Sequence, residues 1–597
     1  MVPYKAPIAD MRFVLNDLGL LAQVQQLPGG EEASPDLVDA VLEEAGKLAR
    51  DVLAPTNKTG DSERARLENG VVRTPTGFVD AYKAYVEGGW NAVPFEPEYG
   101  GQGLPWTVSA AVQEMWQSAN MAWALCPLLN QGAVEAVEVH GSEALKDRYL
   151  AKMISGEWTG TMNLTEPQAG SDLSLVKTKA EKKDDHYLIR GQKIYITYGD
   201  HDMADNIVHL VLARCEGAPA GVKGISLFVV PKFLPDDEGN PGARNDVRCT
   251  SLEHKIGIHG SPTCVMVYGD EAGAAGYLVG EENRGLEYMF TMMNNARLSV
   301  GLQGLSIIER AYQQARDFAL DRKQGRGPDG TSPAAIVNHA DVRRMLMTMR
   351  GHTEAMRALI LDTMMMMDTA RRHSEDSYRT YARRRVDVLT PVIKGWCTEM
   401  AVELTSTAVQ IHGGMGFVEE TGVAQHFRDS RILPIYEGTT GIQANDLVGR
   451  KLLRDGGEGV NEYLDEMHSL VNGLNERGGD DMAVIRRQFS LAVDHLDNAT
   501  SHILDHGKDD PDSAHGAAAY YLKMFGIVAG GAMMVRAALV AQDTLEKGED
   551  GIDRTFYEAK LTTARFYAEN ILPQTAGLVT PIASGPAMLR LIPDEAL

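Results

Sequence analysis

"HYLIRGQKIYIT", His186–Thr197, is the stretch on which the fold reading turns. Apolar and polar residues alternate in it, and Tyr, Ile and Thr are frequent, which is the pattern of a strand with one face buried. Three runs of similar character follow: "NIVHLVLARC" (Asn206–Cys215), "KGISLFVVPKF" (Lys223–Phe233) and "TCVMVYGD" (Thr263–Asp270). Gly, Asp and Pro punctuate them. Together they mark an all-β segment that begins near Glu157 and ends near Val279.

On both sides of that segment the apolar spacing is helical. "LVDAVLEEAGKLARDVL" (Leu37–Leu53) and "EALKDRYLAKMI" (Glu143–Ile154) precede it. The helical period resumes at "RGLEYMFTMMNNARLSVG" (Arg284–Gly301) and holds almost to the C-terminus, broken by polar loops such as "GRGPDGTSP", "RDGGEGV" and "GKDDPDS". Helices segregated from strands mean a mainly α protein with a separate β domain rather than a doubly wound sheet. No G-x-G-x-x-G follows a strand and opens a helix, which argues against a nicotinamide site on such a sheet.

At 597 residues the chain predicts about three or four domains at roughly 100 to 200 residues each. The net charge of -24 argues against nucleic-acid or anionic-membrane binding, because that field repels phosphate. The five cysteines are scattered, so neither a disulfide framework nor a zinc site is expected. The N-terminus is interrupted by Asp10, Arg12 and Asp17 and reads as no export signal. The apolar stretch Gly516–Ala541 holds Lys523 and Arg536, and reads as a core helix rather than a membrane span. The expectation is a cytoplasmic protein.

Five stretches are candidates for chemistry, and each alone has an ordinary structural reading. "GTMNLTEPQAGSDLS" (Gly160–Ser174) lies at the join of the helical and β segments, where pockets often form. "GQKIYITYGD" (Gly191–Asp200) reads as a strand presenting Tyr195 and Thr197 on one face, suited to a planar ring and also common in strands. In "DRKQGRG", Arg322 ends a helix, where a cation is favoured by the dipole and can also fork onto phosphate. In "AVQIHGGMGF", Gly413, Gly414 and Gly416 permit a close backbone approach or a helix stop. In "LPIYEGTTGIQ", Tyr436 and Ile435 are placed to desolvate Glu437, and "GTTG" to open the next helix.

Taken in order, "LTEPQAGSD", "KIYITYG", "LEHKIGIHGSPTC", "DRKQ", "VQIHGGMGF" and "IYEGTTGIQ" resemble the acyl-CoA dehydrogenase family from about Pro35 to Arg454. The resemblance implies a helical N-terminal domain (1–157), a β-barrel-like middle domain (158–280) and a four-helix domain carrying a catalytic Glu (281–457). An additional helical C-terminal domain (458–597) lies beyond the basic family length. That tail and "YKAPIADMRFVLNDL" resemble the long bacterial subgroup that includes 3-methylmercaptopropionyl-CoA dehydrogenase.

By the same resemblance, Met162, Leu164, Thr165, Tyr195 and Thr197 line the flavin of FAD. Arg322, Gln324, Gln410, Gly413 and Gly414 hold the pyrophosphate and adenosine end of the FAD of a neighbouring subunit, and Thr439 is a further FAD contact. Ser171, Arg297 and Gly438 contact the acyl-CoA, and Glu437 is the catalytic base. Gly325 replaces a usual aromatic and Gly441 a usual polar residue, so the adenine-end contacts are expected to differ.

The implied reaction is α,β-desaturation of a thioester. It needs a base for the α proton and a hydride acceptor that only a cofactor supplies. The family's donors to the thioester carbonyl are the Glu437 N–H and a flavin ribityl hydroxyl. Burial under the thioester is expected to raise the Glu437 pKa toward ~6 to 7. Electron-transferring flavoprotein is the implied acceptor, and a dimer is favoured over a tetramer. Alternatives are a straight-chain fatty acyl-CoA dehydrogenase, an acyl-CoA oxidase and a non-enzymatic acyl-CoA-binding scaffold.

Overall fold

The alternation in "HYLIRGQKIYIT" becomes a strand, Tyr187–Thr197, that buries Tyr187, Ile189, Lys193 and Ile196 and exposes Arg190, Gln192 and Tyr195. It lies in a computed structural model describing residues 3–548, 551–584, 588–589 and 591–596. The chain forms two compact units. One comprises Met1–Glu43, Pro105–Glu114 and Val300–Leu597, and the other Glu44–Leu104 and Met115–Ser299.

In the second unit, eight strands form the main sheet: β1 (Trp158–Asn163), β2 (Lys179–Lys182), β3 (Tyr187–Thr197), β4 (Asn206–Cys215), β5 (Ser226–Pro231), β6 (Val247–Leu252), β7 (Thr263–Tyr268) and β8 (Ala274–Val279). The order is β6-β7-β3-β8-β5-β4-β1, and β2 pairs with both β3 and β4. That last pairing closes β3-β8-β5-β4-β2 into a ring, the barrel-like middle domain. β1 and β2 run parallel to β4, and the other pairs are antiparallel. β1 is buried throughout, as suits a strand covered on both faces. Ile189, Ile196, Val211, Phe228, Val230 and Met266 share the core.

Two features depart from the sequence reading. The first helical segment contains a hairpin, Arg66–Glu68 with Val71–Arg73, turned by Asn69 and Gly70 at φ 53° and 78°. Asn-Gly between short β-rich runs is the usual sign of such a turn, because both central residues need positive φ. The strand read as Gly191–Asp200 ends at Thr197, since Tyr198 turns to φ 50°.

The first unit is helical. Its helices include α1 (Gly285–Asp321, from Val300 onward), α2 (Ala340–Arg372), α3 (Asp376–His412), the short α4 (Thr440–Asn445), α5 (Pro511–Lys547) and α6 (Arg554–Asn570). Gly301 and Gly304 let α1 lie almost on the backbone of α3. A Cβ at these positions would stand 2.3 Å from Ile393 Cγ2 and 2.7 Å from the Cys397 carbonyl oxygen. α5 is long and apolar enough to cross a membrane, yet 83% of its apolar window is buried inside the protein, so it is a core helix. Its Arg536 is paired with Asp362 at 3.1 Å. Deep in the same unit, Arg357 bridges Glu114 (2.6 Å) and Glu309 (2.7 Å).

Candidate active site

The candidate residues fall into three groups, one in the strand-rich unit and two in the helical unit. In the strand-rich unit, β1 ends at Asn163 and hands the chain to Leu164 and Thr165, and the segment Thr161–Thr165 is fastened to β3 in three places. Lys193 Nζ donates to the Leu164 carbonyl (3.0 Å), the Ile194 N–H donates to the Thr165 carbonyl (2.9 Å), and Thr161 Oγ1 donates to the Thr197 carbonyl (2.7 Å). The structure therefore brings Met162, Leu164 and Thr165 beside Tyr195 and Thr197. Tyr195 is 61% exposed and adopts φ 61°. The register shifts between Lys193 and Ile196 opposite β7, so a bulge rather than simple alternation turns the Tyr195 ring out of the ladder.

The loop beyond Thr165 is pinned by Glu166. Its carboxylate accepts from Lys193 Nζ (2.8 Å), the Lys177 N–H (2.7 Å), the Thr178 N–H (3.0 Å) and Thr178 Oγ1 (2.6 Å). Burial alone would raise this carboxyl, but the Lys193 ammonium and these donors outweigh it and hold the pKa at about 2. Burial pushes the Lys193 ammonium down to about 8 against the pull of Glu166. Ser171 is exposed on this loop, which Asp172 tightens by accepting from the Ser174 N–H at 2.9 Å. Arg297, in contrast, is only 5% exposed.

In the helical unit, the ends of α1 and α3 meet where Phe318 stacks on His412 with ring centroids 4.3 Å apart. Burial lowers the His412 pKa, so this histidine is a packed ring. Arg322 and Gln324 follow α1, and Gln410, Gly413 and Gly414 lie at the end of α3, all exposed. Of the three glycines in this stretch, Gly416 makes the close approach, since a Cβ there would lie 2.3 Å from the Val409 carbonyl oxygen. Gly413 adopts φ 57° and ψ -141°, and neither it nor Gly414 has an atom within 4 Å of an added Cβ.

Glu437 lies between Tyr436 and α4 and adopts φ 55°, a left-handed conformation uncommon for a non-glycine residue. Tyr436 donates its hydroxyl to Gln303 Oε1. Burial and then the Glu437 charge raise the Tyr436 pKa. Ile435 is 45% exposed. Gly438 follows at φ 87°, and Thr439 caps α4 by accepting from the Ile442 N–H at 3.3 Å. The "GTTG" run does open a helix.

Family models match along nearly the whole length. They are the acyl-CoA dehydrogenase N-terminal domain at 38–157, the middle domain at 161–270 and the C-terminal domain at 283–452. An acetyl-CoA dehydrogenase C-terminal-like model matches 463–592. The chain belongs to the acyl-CoA dehydrogenase family.

Among this family, 3-methylmercaptopropionyl-CoA dehydrogenase of Ruegeria pomeroyi is 48% identical over 95% of this chain and 96% of its own. A butyryl-CoA dehydrogenase of Syntrophomonas wolfei is 35% identical over 94% and 93%. An acyl-CoA dehydrogenase of Bacillus anthracis, solved in complex with FAD, superposes with a TM-score of 0.74 over 97% of this chain and 93% of its own at 21% identity.

Sequence reasoning passed over the residues that hold these acyl-CoA dehydrogenase loops in place. Lys193 and Glu166 were inside quoted motifs, and the strand alternation through Tyr187 and Ile189 already points Lys193 inward. Lys394, in the apolar run "VLTPVIKGWC", and Gln443, the last residue of "LPIYEGTTGIQ", were also missed. Both are 0% exposed, and a lysine within such a run is itself a signal.

Proposed function

We propose that this chain is an FAD-dependent acyl-CoA dehydrogenase in which Glu437 removes the α proton of an acyl-CoA thioester. The observation that carries the proposal is Glu437 itself, a carboxylate in a left-handed conformation on a loop tied down on both sides of it.

The residues suit FAD. Met162, Leu164, Thr165, Tyr195 and Thr197 form a wall of apolar surface, one exposed ring and two hydroxyls, fitting an isoalloxazine. Arg322, Gln324 and Gln410 offer exposed donors beside two glycines with open space, fitting the pyrophosphate and adenosine end, contributed to a neighbouring subunit's cofactor. Thr439 is a further contact. When bound, FAD supplies the acceptor for the β hydride.

The chain's own residues perform the rest. The Glu437 N–H donates to the thioester carbonyl, which acidifies the α C–H by stabilising the enolate-like charge. The Glu437 carboxylate takes that proton. Gly438, lacking Cβ, gives the acyl chain close approach, while Ser171 and Arg297 serve the CoA side. Glu437→Gln is expected to keep FAD and to lose on the order of 10²- to 10⁴-fold in dehydrogenation. Near-normal turnover in that variant refutes the assignment.

For the substrate we propose 3-methylmercaptopropionyl-CoA, giving methylthioacryloyl-CoA, on the strength of the Ruegeria pomeroyi relative. A straight-chain substrate is the second reading, favoured by the Syntrophomonas wolfei relative. Anaerobic bleaching of bound flavin by 3-methylmercaptopropionyl-CoA, butyryl-CoA and longer thioesters separates them by kcat/KM. Electrons pass on to electron-transferring flavoprotein in this scheme. Peroxide released during turnover points instead to an oxidase. The four-domain division at 157, 280 and 457, a dimeric assembly and a cytoplasmic location complete the proposal, and a stable tetramer by mass counts against the dimer.

A further inference from the structure

We infer that Lys394 is a positioning residue for the proton-abstracting loop, and that the C-terminal extension serves the reaction by holding the turn of α3 that carries it. This rests on the reading of Glu437 as the base.

Lys394 is 0% exposed, and its Nζ donates to the Gly438 carbonyl oxygen at 2.6 Å. Lysine is rarely buried to that degree, and a hydrogen bond from a cation is roughly twice as strong as a neutral one. Gln443 Nε2 donates to the same carbonyl at 3.2 Å and to the Glu437 carbonyl at 3.0 Å. The two peptide carbonyls at the base are therefore both occupied from within the protein. One turn further along α3, Glu399 Oε1 accepts from Thr440 Oγ1 at 2.5 Å. The loop is thus stitched to α3 on the C-terminal side of Glu437, while Tyr436 is tied to Gln303 of α1 on the other.

These fastenings are needed because Glu437 is held at φ 55°, where a residue with a Cβ resides only when its surroundings over-determine it. Releasing the Gly438 carbonyl lets the Glu437–Gly438 peptide relax. The carboxylate and the Glu437 N–H then move together, although neither is altered chemically.

Lys394 is itself immobilised from two sides. Gly301 and Gly304 of α1 fit against Ile393 and Cys397, flanking it in sequence. On another side lies α5 of the extension. An added Cβ at Gly395 would stand 2.7 Å from Leu522, and one at Gly526 would stand 2.3 Å from Trp396. α5 also packs along α4, the helix that begins directly after the base. The extension therefore touches both segments whose relative placement sets the loop.

The test uses full-length holoenzyme and anaerobic single-turnover flavin reduction by the best thioester of the panel, with steady-state kcat and KM, for Lys394→Met, Lys394→Gln and Glu437→Gln. Lys394→Met is expected to retain FAD and to lower the reduction rate about 10- to 100-fold, with KM changed less than about threefold, because misplacement by an ångström costs of that order. Lys394→Gln, which keeps a donor, is expected to recover part of the rate. A wild-type rate in Lys394→Met overturns the inference, as does a loss seen only in KM. Should Lys394→Met fail to hold FAD, Lys394→Gln decides: a reduced rate at unchanged KM supports the role and a wild-type rate overturns it. Glu437→Gln separates the two readings, since a fast Glu437→Gln enzyme sinks the base assignment, whereas a slow one beside a fast Lys394→Met enzyme sinks only this inference.

Discussion

Replacing Lys193 by Met tests how the proposed flavin wall is held. The Lys193 side chain is 0% exposed and its partner Glu166 is 3% exposed, so both charges are fully withdrawn from water. Glu166, held at about 2 instead of 4.5, gains about 3 kcal/mol on folding, at ~1.4 kcal/mol per tenfold change in proton affinity. Burial pushes the Lys193 ammonium down to about 8 against the attraction of Glu166, so the cost of desolvating it opposes that gain.

Breaking the pair is different, because Met leaves the Glu166 carboxylate buried without its cation and the Leu164 carbonyl without Nζ. Such a loss costs about 3 to 5 kcal/mol. At about 2 to 4 °C per kcal/mol for a unit of this size, Tm falls by roughly 6 to 20 °C. The assay is a thermal melt followed by the fluorescence of released flavin. A fall below about 2 °C refutes the reasoning. Lys193→Met with Glu166→Gln removes the stranded charge and is expected to recover at least half of the loss. A double variant as unstable as the single one would assign the cost to the Leu164 carbonyl instead.

The sign with pH follows from the lowered Glu166 pKa: its contribution is complete above pH 4.5 and disappears as pH falls toward 2. The wild type is therefore expected to lose flavin more steeply across that window than the Lys193→Met variant.

Two further substitutions probe the helical unit. Arg357→Met strands Glu114 and Glu309 around a 1% exposed site and is expected to cost about 3 to 5 kcal/mol, read as a lowered unfolding midpoint in urea; an unchanged midpoint refutes it. Gly304→Ala drives a methyl toward the Cys397 carbonyl and is expected to cost about 1 to 3 kcal/mol, whereas Gly414→Ala, with no atom within 4 Å, leaves the melt of the apoprotein unchanged and weakens FAD binding in a flavin titration. Equal melts for the two alanine variants count against the packing argument.

What the sequence by itself determined is local and periodic. The period of two in Tyr187–Thr197 and the helical period on either side fix the element types, because side-chain direction along a strand or helix follows from backbone geometry alone. The Gly-Thr run after Glu437 reads as a helix start for the same kind of reason, and Thr439 does cap α4. Even the missed hairpin at Asn69–Gly70 was legible, since its signal lies within two residues.

What only the tertiary structure decided is the set of partners brought from far along the chain. Glu166 meets Lys193 across 27 positions, and Gly438 meets Lys394 across 44. Nothing in the local pattern pairs them. The bulge that turns out Tyr195 depends on the register with β7, and the tying of the Glu437 loop depends on how closely two glycines let α1 approach α3. A carboxylate between an aromatic ring and a glycine is available to any turn. At φ 55° it is held by the carbonyl contacts of nearby Gln443 and of Lys394, 44 positions away, and the second of these exists only once the helices have packed.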